Sequence, residues 1–186
     1  DAEIFTKGQP LSSVGVGATA GVHPRSEWSN PEAEIVLILS PTGRIVGASL
    51  GDDVNLRDVE GRSALLLGRA KDNNAASVIG PFIRLFDGVF TIDSMRNTKM
   101  RLQIDGQDGF TLDQIGDFGT IARPYEELAA QCFDAHAYPD GAALYTGTPF
   151  APTQDRGAAG MGFTFHAGDV VRISTPELGA LVHRVG

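Results

Sequence analysis

One segment near the start of the chain is apolar on both faces that a β-strand would present. Alternate side chains of a strand point to opposite sides, and over residues 34–40 both sets are mainly apolar. Val36 belongs to one set and Ile35 to the other. Such a strand is stable when other layers cover both of its faces. The sequence therefore predicts an interior strand and a layered fold.

A second apolar run follows the first after a short turn. Residues 44–50 are again rich in strand-forming side chains, and Pro41-Thr42-Gly43 separates the two runs, a pattern typical of a β-hairpin. Glycine supplies 23 of 186 residues and proline 10, without a repeating period. This composition favours many turns and short strands. We expect strands to outnumber helices.

The rest of the chain predicts further strands and few helices. Helical spacing of apolar residues predicts the best helix over residues 125–136, after Pro124. A short helix or helical turn is expected within 58–67. The remaining predicted strands are a second hairpin, 99–104 with 109–112, and three strands near the end, 143–146, 170–174 and 178–185.

Length and charge exclude several classes of protein. The 186 residues suit one domain, 1–186, with one core. A formal net charge of −8 argues against binding to nucleic acid or to an anionic membrane. No apolar run approaches the length of a membrane span. The single cysteine, Cys132, forms no internal disulfide and fits a reducing compartment. We expect a soluble cytoplasmic chain that is a fragment, lacking an N-terminal domain and a C-terminal tail.

Two acidic residues open the buried strand. Glu32 and Glu34 are two positions apart, so on a strand they share a face and lie about 7 Å apart. Burial of two like charges is unfavourable unless protons or a cation compensate them. The alternative is a strand end that frays into solvent with two surface acids.

The predicted hairpin brings a third acid to the same place. One register sets Asp53 opposite Glu32, and a three-residue loop with a glycine bulge sets Asp52 there instead. The residue pattern alone leaves both registers open. In either case a cluster of carboxylates results, and carboxylate ligands suit Mg²⁺, Mn²⁺ or Ca²⁺ better than zinc.

An ordered set of motifs resembles the fumarylacetoacetate hydrolase superfamily over nearly the whole chain. The motifs are Glu32-Ala33-Glu34, Asp52-Asp53-Val54-Asn55-Leu56-Arg57-Asp58, Lys71 and Thr146-Gly147-Thr148-Pro149. Asp52 departs from the asparagine that is usual in this family. The resemblance implies an α+β, β-rich fold, described as a mixed β-sandwich or roll of the family's C-terminal type, and a homodimer.

The resemblance also implies a ligand set and a substrate site. It makes Glu32, Glu34 and Asp53 the metal ligands, with Mg²⁺ as the expected ion and Mn²⁺ or Ca²⁺ as substitutes. It places Lys71 beside a metal-bound 2-oxo acid, and Arg57 and Thr148 at the oxygens of that substrate. Taken alone, Lys71 reads as a surface lysine, and Arg57 as a partner of Asp58 or Glu60.

Within the superfamily, three segments resemble dehydratases of 2-keto-3-deoxy-pentonates: Glu3 to Lys7, residues 71–74 and residues 79–87. This likeness makes Glu3 an acidic residue that works with Lys71 and is the first candidate for the general base. It implies a magnesium-dependent lyase that removes the C3 proton, stabilises the resulting enolate with the metal and Lys71, and yields 2,5-dioxopentanoate. Taken alone, Glu3 reads as a terminal surface acid.

Two other functions compete with the dehydratase. Hydrolases of the same superfamily cleave a C–C bond in acylpyruvates or diketo acids with water activated by a His–Glu pair, and their His-x-x-Glu element is not visible in this sequence. The second alternative is a non-catalytic β-domain whose acids bind a structural ion. Among the histidines, His23 lies nearest to the acids in sequence, whereas His136, His166 and His183 read as structural.

Overall fold

The strands that the structure describes form two large sheets and one small one. The structure is a computed structural model that describes residues 2–7, 9 and 11–186. The strands are β1 (Ser13–Gly15), β2 (Thr19–Ala20), β3 (Ser29–Asn30), β4 (Ala33–Leu39), β5 (Ile45–Asp53), β6 (Asn55–Leu56), β7 (Ser77–Leu85), β8 (Lys99–Asp105), β9 (Thr111–Asp117), β10 (Ala142–Tyr145), β11 (Val170–Thr175) and β12 (Gly179–Val185). The first sheet has the order β1-β7-β5-β4-β10, the second β2-β12-β11-β8-β9, and β3 pairs with β6.

Helices are short and few beside the strands. They are α1 (Arg57–Glu60), α2 (Ile92–Arg96) and α3 (Tyr125–Phe133), with 3₁₀ turns at Ala64–Leu66, Arg69–Lys71 and Phe118–Thr120. The predicted helix over 125–136 is present but ends at Phe133. The expected helical turn within 58–67 is split into α1 and the first 3₁₀ turn. The protein is therefore a sheet-rich α+β structure.

The hairpin of β4 and β5 changes register along its length. Next to the three-residue loop 41–43, Leu39 pairs with Ile45. The following pair is shifted by one position, because β5 carries one extra residue, Val46, as a bulge. The loop type and the final register are thus set independently of each other.

The shifted register decides which aspartate lies opposite Glu32. Ala33 pairs with Asp52 in the ladder. One position further out, the N–H of Asp53 donates to the carbonyl oxygen of Glu32 at 3.0 Å. Asp53 is therefore the residue across from Glu32, although the loop is the three-residue type that would otherwise have placed Asp52 there.

The core lies between the two large sheets. β12 packs against β7, and β11 packs against β5. Side chains from both sheets are completely buried there: Ile35, Leu50, Ile104, Ile173 and Leu181. Burial of each contributes about 1.5–3 kcal/mol. β4 lies inside its sheet and is buried along nearly its whole length, as its two apolar faces predicted. No helix of the described residues is long and apolar enough to span a membrane.

Candidate metal centre and active site

Three carboxylates meet at one end of the β4–β5 hairpin. Glu32 lies just before β4, Glu34 is the second residue of β4, and Asp53 ends β5. One oxygen from each side chain lies within 4.8 Å of the others. Glu34 and Asp53 are buried, and the side chain of Glu32 is 15% exposed. The strand spacing of two and the shifted register together bring these acids to one place.

Burial makes the negative charges of these acids unfavourable. Desolvation raises the pKa of Glu34 well above its usual value, and the nearby Asp53 and Glu32 raise it further. Desolvation also raises the pKa of Glu32, although Lys71 partly opposes this. A cluster of this kind favours a bound proton or a bound cation.

Lys71 supplies a positive charge directly against the cluster. Its Nζ donates a very short hydrogen bond to Glu32 Oε2 and lies 3.3 Å from Asp53 Oδ2. The side chain is only 2% exposed. Burial by itself would lower the pKa of Lys71, but the attraction of Asp53 and Glu32 outweighs it and raises that pKa. Without a bound ion, the neighbouring carboxylates therefore favour the ammonium form of Lys71.

Lys7 is a second cation at the cluster, and the sequence analysis gave it no role. Its Nζ lies 2.5 Å from Asp53 Oδ1 and donates to the carbonyl oxygen of Lys71 at 3.2 Å. The side chain is 14% exposed. The signal that could have found it is the segment from Glu3 to Lys7, where a lysine stands four residues after the candidate acid.

Glu3 stands on the wall of a neighbouring cavity. The cavity has a volume of about 450 Å³, and Glu3 and Lys7 line it together with Ile79, Leu144 and Tyr145. Glu3 is exposed, whereas Lys7 reaches from this cavity to Asp53. The segment from Glu3 to Lys7 thus connects an open cavity with the buried acids.

The turn that contains Thr148 lies against the carboxylate cluster, whereas Arg57 contacts the Trp28 ring. The N–H of Gly147 donates to Glu34 Oε2 at 2.6 Å, so the Thr146–Pro149 turn lies against the cluster. The hydroxyl of Thr148 donates to the carbonyl oxygen of Phe150 at 2.8 Å. The Arg57 guanidinium instead stacks over the Trp28 ring, 5.3 Å from its centre.

A buried aspartate and histidine lie behind the cluster. Asp52 and His183 are 0% and 1% exposed, and His183 Nε2 lies 2.8 Å from Asp52 Oδ2. The other oxygen of Asp52 accepts the N–H of Glu32 at 2.9 Å. Burial lowers the pKa of His183, but the hydrogen bond and charge of Asp52 outweigh it and raise that pKa. Sequence reasoning missed this contact because it joins residues 131 positions apart.

The donor set fits a hard divalent cation. All three candidate ligands are carboxylates, which Mg²⁺, Mn²⁺ and Ca²⁺ prefer. Asp53 Oδ1 is buried and lies 2.5 Å from Lys7 Nζ. A cation that coordinates this oxygen would have to share it with Lys7.

The two-sheet fold and the cluster of three carboxylates beside the ammonium group of Lys71 are those of a protein with a candidate divalent-metal site. The chain belongs to the fumarylacetoacetate (FAA) hydrolase C-terminal family, whose model matches residues 2–186.

Relatives in this family include sugar-acid dehydratases. The chain is 31% identical, over 97% of its length, to a 2-dehydro-3-deoxy-D-arabinonate dehydratase of Saccharolobus solfataricus. It is 30% identical, over 98% of its length, to a Haloferax volcanii protein named "Probable 2-keto-3-deoxyxylonate dehydratase". Among solved structures, a 2-keto-3-deoxy-D-arabinonate dehydratase complexed with magnesium and 2,5-dioxopentanoate matches with a TM-score of 0.79 and 27% identity, over 94% of this chain and 59% of that one.

The chain is shorter than these relatives. It spans 57% and 60% of the lengths of the two curated dehydratases.

Proposed function

We propose that this protein is a magnesium-dependent hydro-lyase that converts a 2-keto-3-deoxy-pentonate into 2,5-dioxopentanoate. The observation that carries the proposal is the triad of Glu32, Glu34 and Asp53 facing the ammonium of Lys71. The likeness to a solved dehydratase complexed with magnesium and 2,5-dioxopentanoate supports this substrate class.

The triad would hold the ion, with Mn²⁺ or Ca²⁺ as substitutes for Mg²⁺. The 2-oxo group of the substrate would be polarised by a divalent cation held there, and its C3–H would become more acidic. Lys71 keeps its proton, so it can donate a hydrogen bond to the 2-oxo oxygen as negative charge develops there. Lys7 adds a second positive charge at the same cluster.

Glu3 is the proposed general base. Its exposed carboxylate on the cavity wall can take the C3 proton, and the C4 hydroxyl then leaves as water after it gains a proton. Proton shifts within the dehydrated product convert the C5 alcohol carbon to the aldehyde. Each turnover therefore releases one water and needs no oxidant. Thr148 would bind the substrate carboxylate, and Arg57 would join it by leaving the Trp28 ring.

Four narrower expectations accompany this proposal. Residues 1–186 would act as one catalytic unit, although residues 1, 8 and 10 lie outside the described part. The two sheets would form the family's mixed sandwich or roll. The homodimer and the cytoplasmic location also stay predictions. Contacts between the two large sheets support the sandwich or roll.

The test is turnover by the protein in its full natural length. It is offered the D and L forms of 2-keto-3-deoxy-pentonate, which differ only at C4, and an acylpyruvate, each with Mg²⁺, and release of semialdehyde or pyruvate is followed. We expect semialdehyde from a pentonate, and we expect chelation to abolish it. Pyruvate from the acylpyruvate alone would establish the hydrolase instead. Metal binding without any turnover would favour the non-catalytic domain.

A further inference from the structure

The Asp52–His183 contact is the only side-chain hydrogen bond found, among the described residues, between β5 of the first sheet and β12 of the second. Both side chains are fully buried. A polar pair in such a place is unfavourable unless its hydrogen bonds are complete. Because the pair lies directly behind two of the candidate metal ligands, it is placed to affect metal binding.

The hydrogen bonds of His183 fix its orientation. Nδ1 lies 3.0 Å from the carbonyl oxygen of Arg184, which can only accept, so Nδ1 carries a hydrogen. Nε2 lies 2.8 Å from Asp52 Oδ2, so a hydrogen bond joins the ring to the carboxylate. The ring is therefore held on both sides, and it holds one oxygen of Asp52 at a defined place.

The second oxygen of Asp52 is hydrogen-bonded to the backbone of the carboxylate cluster. It accepts the N–H of Glu32, and the carbonyl of Glu32 accepts the N–H of Asp53. The backbones of two candidate ligands are thus tied to one carboxylate. If that carboxylate were free to rotate, the N–H of Glu32 would lose its partner.

We propose that His183 is a positioning residue of the metal site, which acts through Asp52 to hold Glu32 and Asp53 in the geometry that binds a divalent cation. The inference rests on the proposed metal site. It assigns to the second sheet a part in metal binding, although all three candidate ligands belong to the first sheet or its flank. Partners that orient metal ligands typically affect affinity 10- to 100-fold.

The test is the affinity for Mg²⁺ and Mn²⁺, measured by titration calorimetry on the full-length protein. We expect His183→Phe and Asp52→Ala each to weaken binding by about 10- to 100-fold. Because the two residues act in one chain of contacts, the double variant should bind no more weakly than Asp52→Ala alone. His183→Gln retains an N–H that can reach Asp52 and should restore most of the affinity.

A second substitution in β12 separates positioning from general stability. Leu181 is fully buried on the same face of β12, two residues before His183. Leu181→Ala should lower the melting temperature in chelator and leave the metal affinity unchanged. Wild-type affinity in His183→Phe, additive losses in the double variant, or an equal loss of affinity in Leu181→Ala would each overturn the inference. If the wild type binds no better than Glu34→Gln, the proposed metal site itself fails.

Discussion

At the scale of single residues, the conflict between burial and charge is concentrated on Glu34. Its pKa in the fold is raised by burial and by Asp53 and Glu32, so the folded state prefers the protonated form. The stability that this group contributes is complete below its unfolded pKa and is lost as the pH rises through the raised value. The metal-free protein should therefore be penalised by Glu34 at pH 8 more than at pH 5.

Glu34→Gln removes this charge and keeps an oxygen for the N–H of Gly147. In chelator we expect the variant to be more stable than the wild type at pH 8, and the difference to shrink at pH 5. Urea unfolding at the two pH values measures this. Equal stability differences at both values would show that the buried carboxylate is not the cause.

Metal should reverse the ranking of the same two proteins. At a free ion concentration of 100 times Kd, binding stabilises the wild type by about 2.7 kcal/mol. We expect Glu34→Gln to gain almost nothing, because it has lost a ligand. Melting curves with and without Mg²⁺ decide the matter, and an unchanged metal response in the variant would remove Glu34 from the ligand set.

Lys71 offers a separate prediction about turnover. Lys71→Met removes the ammonium and keeps a similar side-chain volume. Metal binding should persist, because the three carboxylates remain, whereas kcat should fall about 10²- to 10³-fold, the range for removal of one donor that stabilises a developing oxyanion. Lys99→Met, which alters an exposed lysine of β8, is the matched control. Undiminished kcat in Lys71→Met would return this lysine to a structural role.

At the scale of elements, the end of the hairpin is packed so tightly that it requires a glycine. A Cβ on Gly51 would lie 2.4 Å from Tyr145 Cε1 and 2.6 Å from Val36 Cγ2. Gly51 pairs with Glu34, and Tyr145 lies two residues before Gly147. Added bulk there should displace the turn that holds Glu34.

Gly51→Ala should therefore lower both stability and metal affinity. Overpacking of this kind typically destabilises by about 1–3 kcal/mol, and movement of Tyr145 on β10 should weaken metal binding as well. Gly15→Ala is the control, since a Cβ there meets nothing within 4 Å. Chemical unfolding and calorimetry measure the two effects. Normal metal affinity in Gly51→Ala would mean that the turn tolerates the shift.

The elements also show what the sequence can predict. The hairpin was predictable because its first strand is apolar on both faces. The bulge at Val46 was not, because nothing local distinguishes an extra residue in a strand, and only the family resemblance chose Asp53. β7 was missed because Gly80-Pro81 interrupts its pattern, although the strand tolerates the interruption with a register shift. Lys7 and the Asp52–His183 contact depend on packing between distant segments.

At the scale of the whole molecule, a long connection between β10 and β11 is tied to the second sheet by Arg156. Its guanidinium donates to both oxygens of Asp169, at 2.6 and 2.8 Å, and to Asp108 at the turn between β8 and β9. The side chain of Arg156 is 2% exposed and that of Asp169 is fully buried. This buried pair fixes the connection that follows the Thr146–Pro149 turn.

Arg156→Met should leave Asp169 buried without its cation, a change that typically costs about 3–5 kcal/mol. For a cooperative chain of this length, each kcal/mol lowers the melting temperature by about 2–4 °C, so the loss should be roughly 6–20 °C. Arg101→Met, which breaks the exposed pair with Asp113, should change it little, because solvent screens that pair. Since Arg156 contacts none of the three cluster acids in the described part of the chain, Kd for the metal should stay unchanged below the melting transition. A matching loss of metal affinity would instead show that this connection holds the site in shape, which would make the whole second sheet, and not His183 alone, a support of the metal centre.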